Sequence, residues 1–132
     1  MIFLDASAIV GILAAEADAA TLLDKLEAAD SVGTSALAVY EAALGLARLG
    51  GVDADLALEL VELFLPETGA TVVAIDFETA RGAIDAFLRF GKGRHKAALN
   101  MGDCFAYAAA RRSGAALLCK GADFPRTVAL LA

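Results

Sequence analysis

Positive charge is scarce in this chain, and so are the residues that build most disulfide and zinc sites. Eleven Lys and Arg stand against seventeen Asp and Glu, giving a net charge of −6. That balance argues against a protein that holds nucleic acid by bulk electrostatics. It leaves room for an enzyme whose acids are neutralised by a bound cation, because such an ion reverses the local charge logic. The two cysteines, Cys104 and Cys119, lie in apolar segments and read as buried reduced thiols rather than a disulfide framework. There is no Cys-x-x-Cys pair, and the single His95 has no partner at ligand spacing, which argues against structural zinc. Hydrophobic residues make up 59% of the chain, yet charges such as Glu16, Asp18 and Asp24 break each apolar run well short of the roughly 18 residues of a membrane span. The first residues lack a basic stretch, and Asp5 and Glu16 would spoil a signal peptide, so a cytoplasmic location without membrane contact is expected. The apolar excess then points to oligomerisation, or to a partner that covers a hydrophobic patch.

Internal repeats, low-complexity tracts and Ser/Pro-rich linkers are missing too, so residues 1–132 read as a single domain. Apolar or β-branched segments alternate with helical ones. Residues 2–5, 71–75 and 115–119 suit short strands, 31–35 suit a short strand or a turn, and 128–131 suit a last edge strand. Helices are expected over 6–15 with Ser7 at the entrance, 18–29, 36–49 stopped by Gly50-Gly51, and 53–65 capped by Asp53 and ended by Pro66. Two more are expected over 77–90, capped by Asp76, and 103–113. This alternation predicts an α/β fold with a parallel sheet covered on both faces. In such sheets ligands gather at the carboxyl ends of the strands.

Four acids stand in apolar settings. Asp5 closes the run Ile2-Phe3-Leu4, Glu41 is the only charge between Asp30 and Arg48, and Asp103 is the only one between Lys96 and Arg111. Asp123 follows the apolar stretch 115–119 within four residues. An isolated carboxylate in such a place is costly unless it is paired, hydrogen-bonded or bound to a metal. Sharing a cation would offset the cost for all four, and an oxygen-rich site of this kind suits Mg²⁺ or Mn²⁺. The chemistry that needs it is metal-assisted attack on a phosphodiester. Each residue also has a plainer reading. Asp5 or Ser7 can cap a helix, Asp103 can serve a helix dipole, Asp123 can be a solvated loop residue, and Glu41 can face an interface. Asp76 also follows a strand, but a helix resumes at once, so capping is assigned to it. The basic stretch Arg89, Lys92, Arg94, Lys96, with Gly91 and Gly93 between, reads either as a flexible solvated loop or as a contact to an RNA backbone.

Phe3-Leu4-Asp5-Ala6-Ser7-Ala8-Ile9-Val10 resembles the opening of a PIN domain. Ser35 with Glu41, then Gly102-Asp103-Cys104-Phe105-Ala106-Tyr107-Ala108, then Leu118-Cys119-Lys120-Gly121-Ala122-Asp123-Phe124, resemble the motifs that follow. Order, spacing and length are similar to the VapC-type toxins of toxin–antitoxin pairs, over essentially the whole chain. The resemblance implies a three-layer α/β/α fold with a short, mainly parallel central sheet. It also implies Mg²⁺-dependent endoribonuclease activity on an RNA substrate, a homodimer, and a small antitoxin partner. Carried over by residue, the metal-binding and catalytic acids are Asp5, Glu41, Asp103 and Asp123, with Ser7 as a polar neighbour. The antitoxin is expected to present Arg or Lys to the acidic pocket. Two rivals stand beside this reading. A receiver-like phosphoacceptor would need an acidic pair after the first strand, where only Asp5 is offered; a catalytically silent binding module would use the acids for a partner's arginines.

Overall fold

The computed structural model describes residues 1–121, 123–127 and 129–132. The chain runs β1 (Ile2–Leu4), α1 (Ala6–Leu13), α2 (Ala19–Glu27), β2 (Val32–Ser35), α3 (Ala36–Gly50), α4 (Ala54–Thr68) and β3 (Thr71–Val73). It continues through α5 (Phe77–Phe90), α6 (Met101–Arg112), β4 (Ala116–Leu118) and a 3₁₀ turn, Phe124–Arg126. The four strands form one sheet in the order β3-β2-β1-β4, and every pairing is parallel.

Side-chain alternation along the strands divides the core in two. Phe3 and its β4 neighbour Leu117 point into a cluster built with Ala83, Ala86 and Phe90 of α5 and the alanine-rich α6. Leu4 and Leu118, one residue on, point the other way, into a cluster with Ile9 of α1, Leu22 and Leu26 of α2, Ala42 of α3 and Val61 of α4. Strands buried on both faces explain why these segments are continuously apolar. Small residues let α5 and α6 pack closely: a Cβ at Gly82 would lie 3.0 Å from that of Ala108. The chain steps outward from β1 to β2 and β3, then crosses back to place β4 on the other side of β1. The carboxyl end of β1 is therefore the point where the strand order reverses, the place at which open α/β sheets form a crevice.

Several local expectations shift. Pro66 does not end α4; the helix runs on to Thr68 and stops at Gly69, whose φ is 68°. A proline in the last turn removes only one backbone bond, and the left-handed glycine supplies the stop. Asp53 holds the N-cap position of α4, but its side chain makes no capping bond. Helix α1 is capped by Asp5, with Ser7 inside the first turn. Helix α6 begins at Met101 rather than at Asp103, because Asn100 is its cap. Around 128–131, Val128 lies outside the described residues, and Leu131 makes a single bridge to Leu117. Asp76 does cap α5, in a reciprocal box with Thr79, and Arg112 of α6 pairs with it. Among the described residues no helix is long and apolar enough to cross a membrane.

Phe3 is fully buried and joins the sheet to the α5/α6 layer. Phe3→Ala should lower stability by about 3–5 kcal/mol in urea denaturation, the sum of lost transfer energy and a residual cavity. A loss below about 1 kcal/mol would show that this layer does not depend on the contact.

Candidate active site

Asp5 is the first residue beyond β1. Its N–H donates to Leu118 O at 3.0 Å, which keeps its backbone in register with β4. Its carboxylate is buried, and Ser7 donates to Oδ2 from both its backbone N–H at 3.0 Å and its hydroxyl at 2.5 Å. Ser7 Oγ in turn accepts the N–H of Lys120 at 2.9 Å. Asp5 therefore caps α1 and also faces a cavity; the two readings open in the sequence are compatible. Burial pushes its pKa up, against the Ser7 hydrogen bonds that pull it down.

Glu41 lies in the second turn of α3, a helix started by Ser35, whose hydroxyl accepts the N–H of Ala38 at 3.1 Å. The Glu41 carboxylate rests on the bare Cα of Gly102. A Cβ at that position would overlap its Cδ and both carboxyl oxygens. Gly102 belongs to the first turn of α6, where unsatisfied N–H groups favour negative charge. Burial raises the Glu41 pKa to about 7, aided by the charges of Asp5 and Asp103.

Asp103 sits one residue further along α6. It accepts the Asn100 N–H at 3.1 Å, while Asn100 Oδ1 accepts the Asp103 N–H at 2.9 Å. Its pKa rises to about 6, mainly through burial; the Asn100 hydrogen bond opposes this, and the charges of Asp5 and Asp123 reinforce it. Cys119, at the end of β4, registers the same field: burial, then Asp5 and Asp103, push its thiol to about 11, so it stays protonated.

Asp5, Ser7, Glu41 and Asp103 line one cavity of about 600 Å³ at the carboxyl end of β1. Asp123 does not line it. That residue is exposed at the start of the 3₁₀ turn and makes no side-chain capping bond, and its influence on the cavity is the charge felt by Asp103. Among the described residues, no group of three His, Cys, Asp or Glu closes on a point tightly enough to hold an ion alone. The donor set nevertheless fits a hard divalent cation. It offers only carboxylate oxygens, a glycine cradle holds one group in place, and the charge of Asp5 raises the pKa of both Glu41 and Asp103. Coordination completed by water is the usual habit of Mg²⁺.

Arg89, Lys92, Arg94 and Lys96 are all exposed and do not line this cavity. Arg89 pairs with Asp85 at 3.6 Å, and Arg94 lies over the Phe87 ring at 5.5 Å. The segment is a bonded turn rather than an open loop: Lys92 N–H donates to Leu99 O and Leu99 N–H to Phe90 O, each at 3.0 Å. The cavity has its own bases, which sequence reasoning passed over. Lys120 reaches Glu16 and Asp18, each at 2.9 Å. Its stem lies against Gly11, where a Cβ would come within 2.6 Å of Cδ. Arg48 also lines the cavity. Its signal was its spacing of two helical turns from Glu41; that of Lys120 was its place directly after the last strand.

The PIN domain family model matches residues 2–130. A VapC ribonuclease of Rhizobium meliloti strain 1021 is 45% identical over 96% of this chain and 98% of its own length. A ribonuclease VapC of Mycolicibacterium smegmatis is 42% identical, covering 94% of each. Among solved structures, Mycobacterium tuberculosis VapC20, a sarcin–ricin loop cleaving toxin, superposes with a TM-score of 0.76 over 100% of this chain and 98% of the other, at 21% identity. That likeness concerns the fold, a parallel sheet between helical layers. With a family model spanning almost the whole chain and relatives of this identity aligned end to end, the chain belongs to the PIN-domain family and, within it, to the VapC ribonucleases.

Proposed function

We propose that this protein is a divalent-metal-dependent endoribonuclease acting as the toxin of a toxin–antitoxin pair. The observation that carries this reading is the meeting of Asp5, Glu41 and Asp103 in one cavity at the sheet's reversal point. These three would hold Mg²⁺ or Mn²⁺, directly or through water, with Asp123 at the edge. When bound, the cation lowers the pKa of water and stabilises charge on the scissile phosphate. The chain's own part is placement. Strand β1 and the Ser7 hydrogen bonds fix Asp5, the Asn100 box fixes Asp103, and Gly102 gives Glu41 its seat. Ser7 Oγ donates to Asp5 and accepts from Lys120, so its role is to orient Asp5 rather than to touch RNA. An ionised carboxylate of the set takes the proton released by the attacking water.

The exposed apolar side chains Leu56, Leu60 and Leu63 of α4 and Ile84 and Leu88 of α5 support a homodimer and an antitoxin that covers part of this surface. An Arg or Lys from that antitoxin, entering the acidic cavity, would supply the charge that these carboxylates lack.

Cleavage of a mixed RNA pool, with Mg²⁺ or Mn²⁺ and with chelator, tests the reading directly. Asp5→Asn and Asp103→Asn should each lower the rate by several powers of ten while leaving circular dichroism unchanged, because metal catalysis supplies several kcal/mol. Full activity in either variant would remove that residue from the site.

The raised acids also fix a pH dependence for the metal-free protein. Glu41 moves from an ordinary value of 4.5 to about 7, so between these values the folded state keeps a proton that the unfolded state has released. Stability therefore falls as pH rises through this window and levels off above it. The full shift would correspond to ~3 kcal/mol; solvent screening of a half-exposed group brings this to ~1 kcal/mol. Thermal unfolding of wild type and Glu41→Gln from pH 4 to 8 should show the fall in wild type and a smaller one in the variant, where the raised acids Asp5 and Asp103 still contribute. Parallel curves would deny Glu41 its place among the charges.

Gly102→Ala should push the Glu41 carboxylate off its seat. Divalent-cation affinity, measured by calorimetry with Mn²⁺, should drop about 10–100-fold, the usual cost of disturbing the support of a ligand. Metal-free stability should hold or rise, since alanine suits a helix better than glycine. Unchanged affinity would mean that Glu41 is not held by this contact.

A further inference from the structure

We propose that the Tyr40–Leu44–Arg48 face of α3 is a binding subsite for the single-stranded RNA that flanks the scissile phosphate, with Tyr40 stacking on a base and Arg48 holding a backbone phosphate. This rests on the endoribonuclease reading and names the side chains that would hold its substrate. The three residues are four apart, so they stand on one side of the helix, over about 12 Å along its axis. All three line the cavity that contains Asp5, Glu41 and Asp103, so the face is continuous with the place a phosphodiester must reach.

Their exposure has no use inside the fold. Tyr40 is 61% and Leu44 40% exposed. An open aromatic face beside an acidic cavity suits an unpaired base, because stacking tolerates any base but needs its face free. The charge inventory points the same way. Of the two bases lining the cavity, Lys120 is committed to Glu16 and Asp18. Arg48 has no ion-pair partner within 4.0 Å among the described residues. A chain of net charge −6 repels RNA in general, so the phosphates next to the cut need a local cation, and an arginine fork matches phosphate oxygens well. A duplex would offer no base face to Tyr40, which is why the occupant is single-stranded.

The test uses the full chain carrying Asp103→Asn, which should not cut, and a fluorescein-labelled single-stranded RNA of mixed sequence. Tyr40→Ala should weaken binding about tenfold, whereas Tyr40→Phe should stay close to the parent, as stacking requires. Arg48→Ala should weaken binding and flatten the slope of log affinity against log salt by about 0.7, the loss of one phosphate contact on a single strand; Arg48→Lys should keep the slope. In the cutting-competent chain, Tyr40→Ala and Arg48→Ala should raise KM more than they lower kcat. If wild type cuts RNA and both alanine variants bind and cut as it does, the subsite is wrong and the nuclease reading stands. If wild type cuts nothing with either cation, the nuclease reading fails and takes the subsite with it. If Tyr40→Ala changes only the oligomeric state in sedimentation, with RNA affinity intact, this face is a protein contact and the proposal is overturned.

Discussion

Like charges gathered in an apolar shell are the constraint on which this structure turns. Burial raises the pKa of Asp5, Glu41 and Asp103, and the charge of Asp5 pushes those of Glu41 and Asp103 up further. Left alone, such a group would take up protons or turn to solvent. The first shows in their raised pKa values; the fold prevents the second by giving each acid a different anchor. Asp5 is held by a strand end and a serine, and Asp103 by a reciprocal cap with Asn100. Glu41 is held by contact with Gly102 at the start of α6. None of the three depends on another carboxylate for its position, so neutralising their charge need not disturb the framework.

The sheet order follows from the same need. A strand beside which the direction of winding reverses has a crevice at its carboxyl end. Here β1 is that strand, and its neighbour β4 delivers Lys120 to the rim. The Lys120 backbone tightens Ser7 on Asp5, and its ammonium ties the segment between α1 and α2 through Glu16 and Asp18. One residue thus couples the floor of the cavity to its edge. The charge it places there is already matched, so it does little to cancel the acids beneath.

The acids were legible because charge in an apolar segment is unusual whatever the fold. Glu41 had only Leu37, Ala38, Leu44 and Gly45 at helical spacing, and Asp103 stood alone for a dozen residues. Their meeting place was harder to see, since it depends on strand order, which alternation of helix and strand does not supply. Helix boundaries failed where two residues compete for one role. Asn100 and Asp103 both suit a cap, and only the reciprocal hydrogen bonds show that Asn100 takes it. Pro66 read as a stop because proline ordinarily breaks helices, yet Gly69 three residues later is the actual terminator. The basic stretch from Arg89 to Lys96 drew attention through density, but its place in the fold is away from the cavity. Gly102 carries no charge to draw notice, and what matters there is the Cβ it lacks.

A cavity of this kind is hostile to the group it is built to attack. Three carboxylates near one another repel a phosphodiester, and the net charge of −6 adds to that repulsion at a distance. Productive approach therefore requires that the carboxylates be neutralised first and that a base outside their cluster guide the strand. Lys120 is tied up in two ion pairs, which leaves Arg48, two turns along α3 from Glu41, to meet the second requirement. The helix that contributes Glu41 to the acidic centre thus also carries the base nearest to hand, and the spacing between them is set by the helix itself rather than by a loop. A rigid separation of this sort would hold a bound strand at a constant distance from the reacting phosphate, whichever bases it carries.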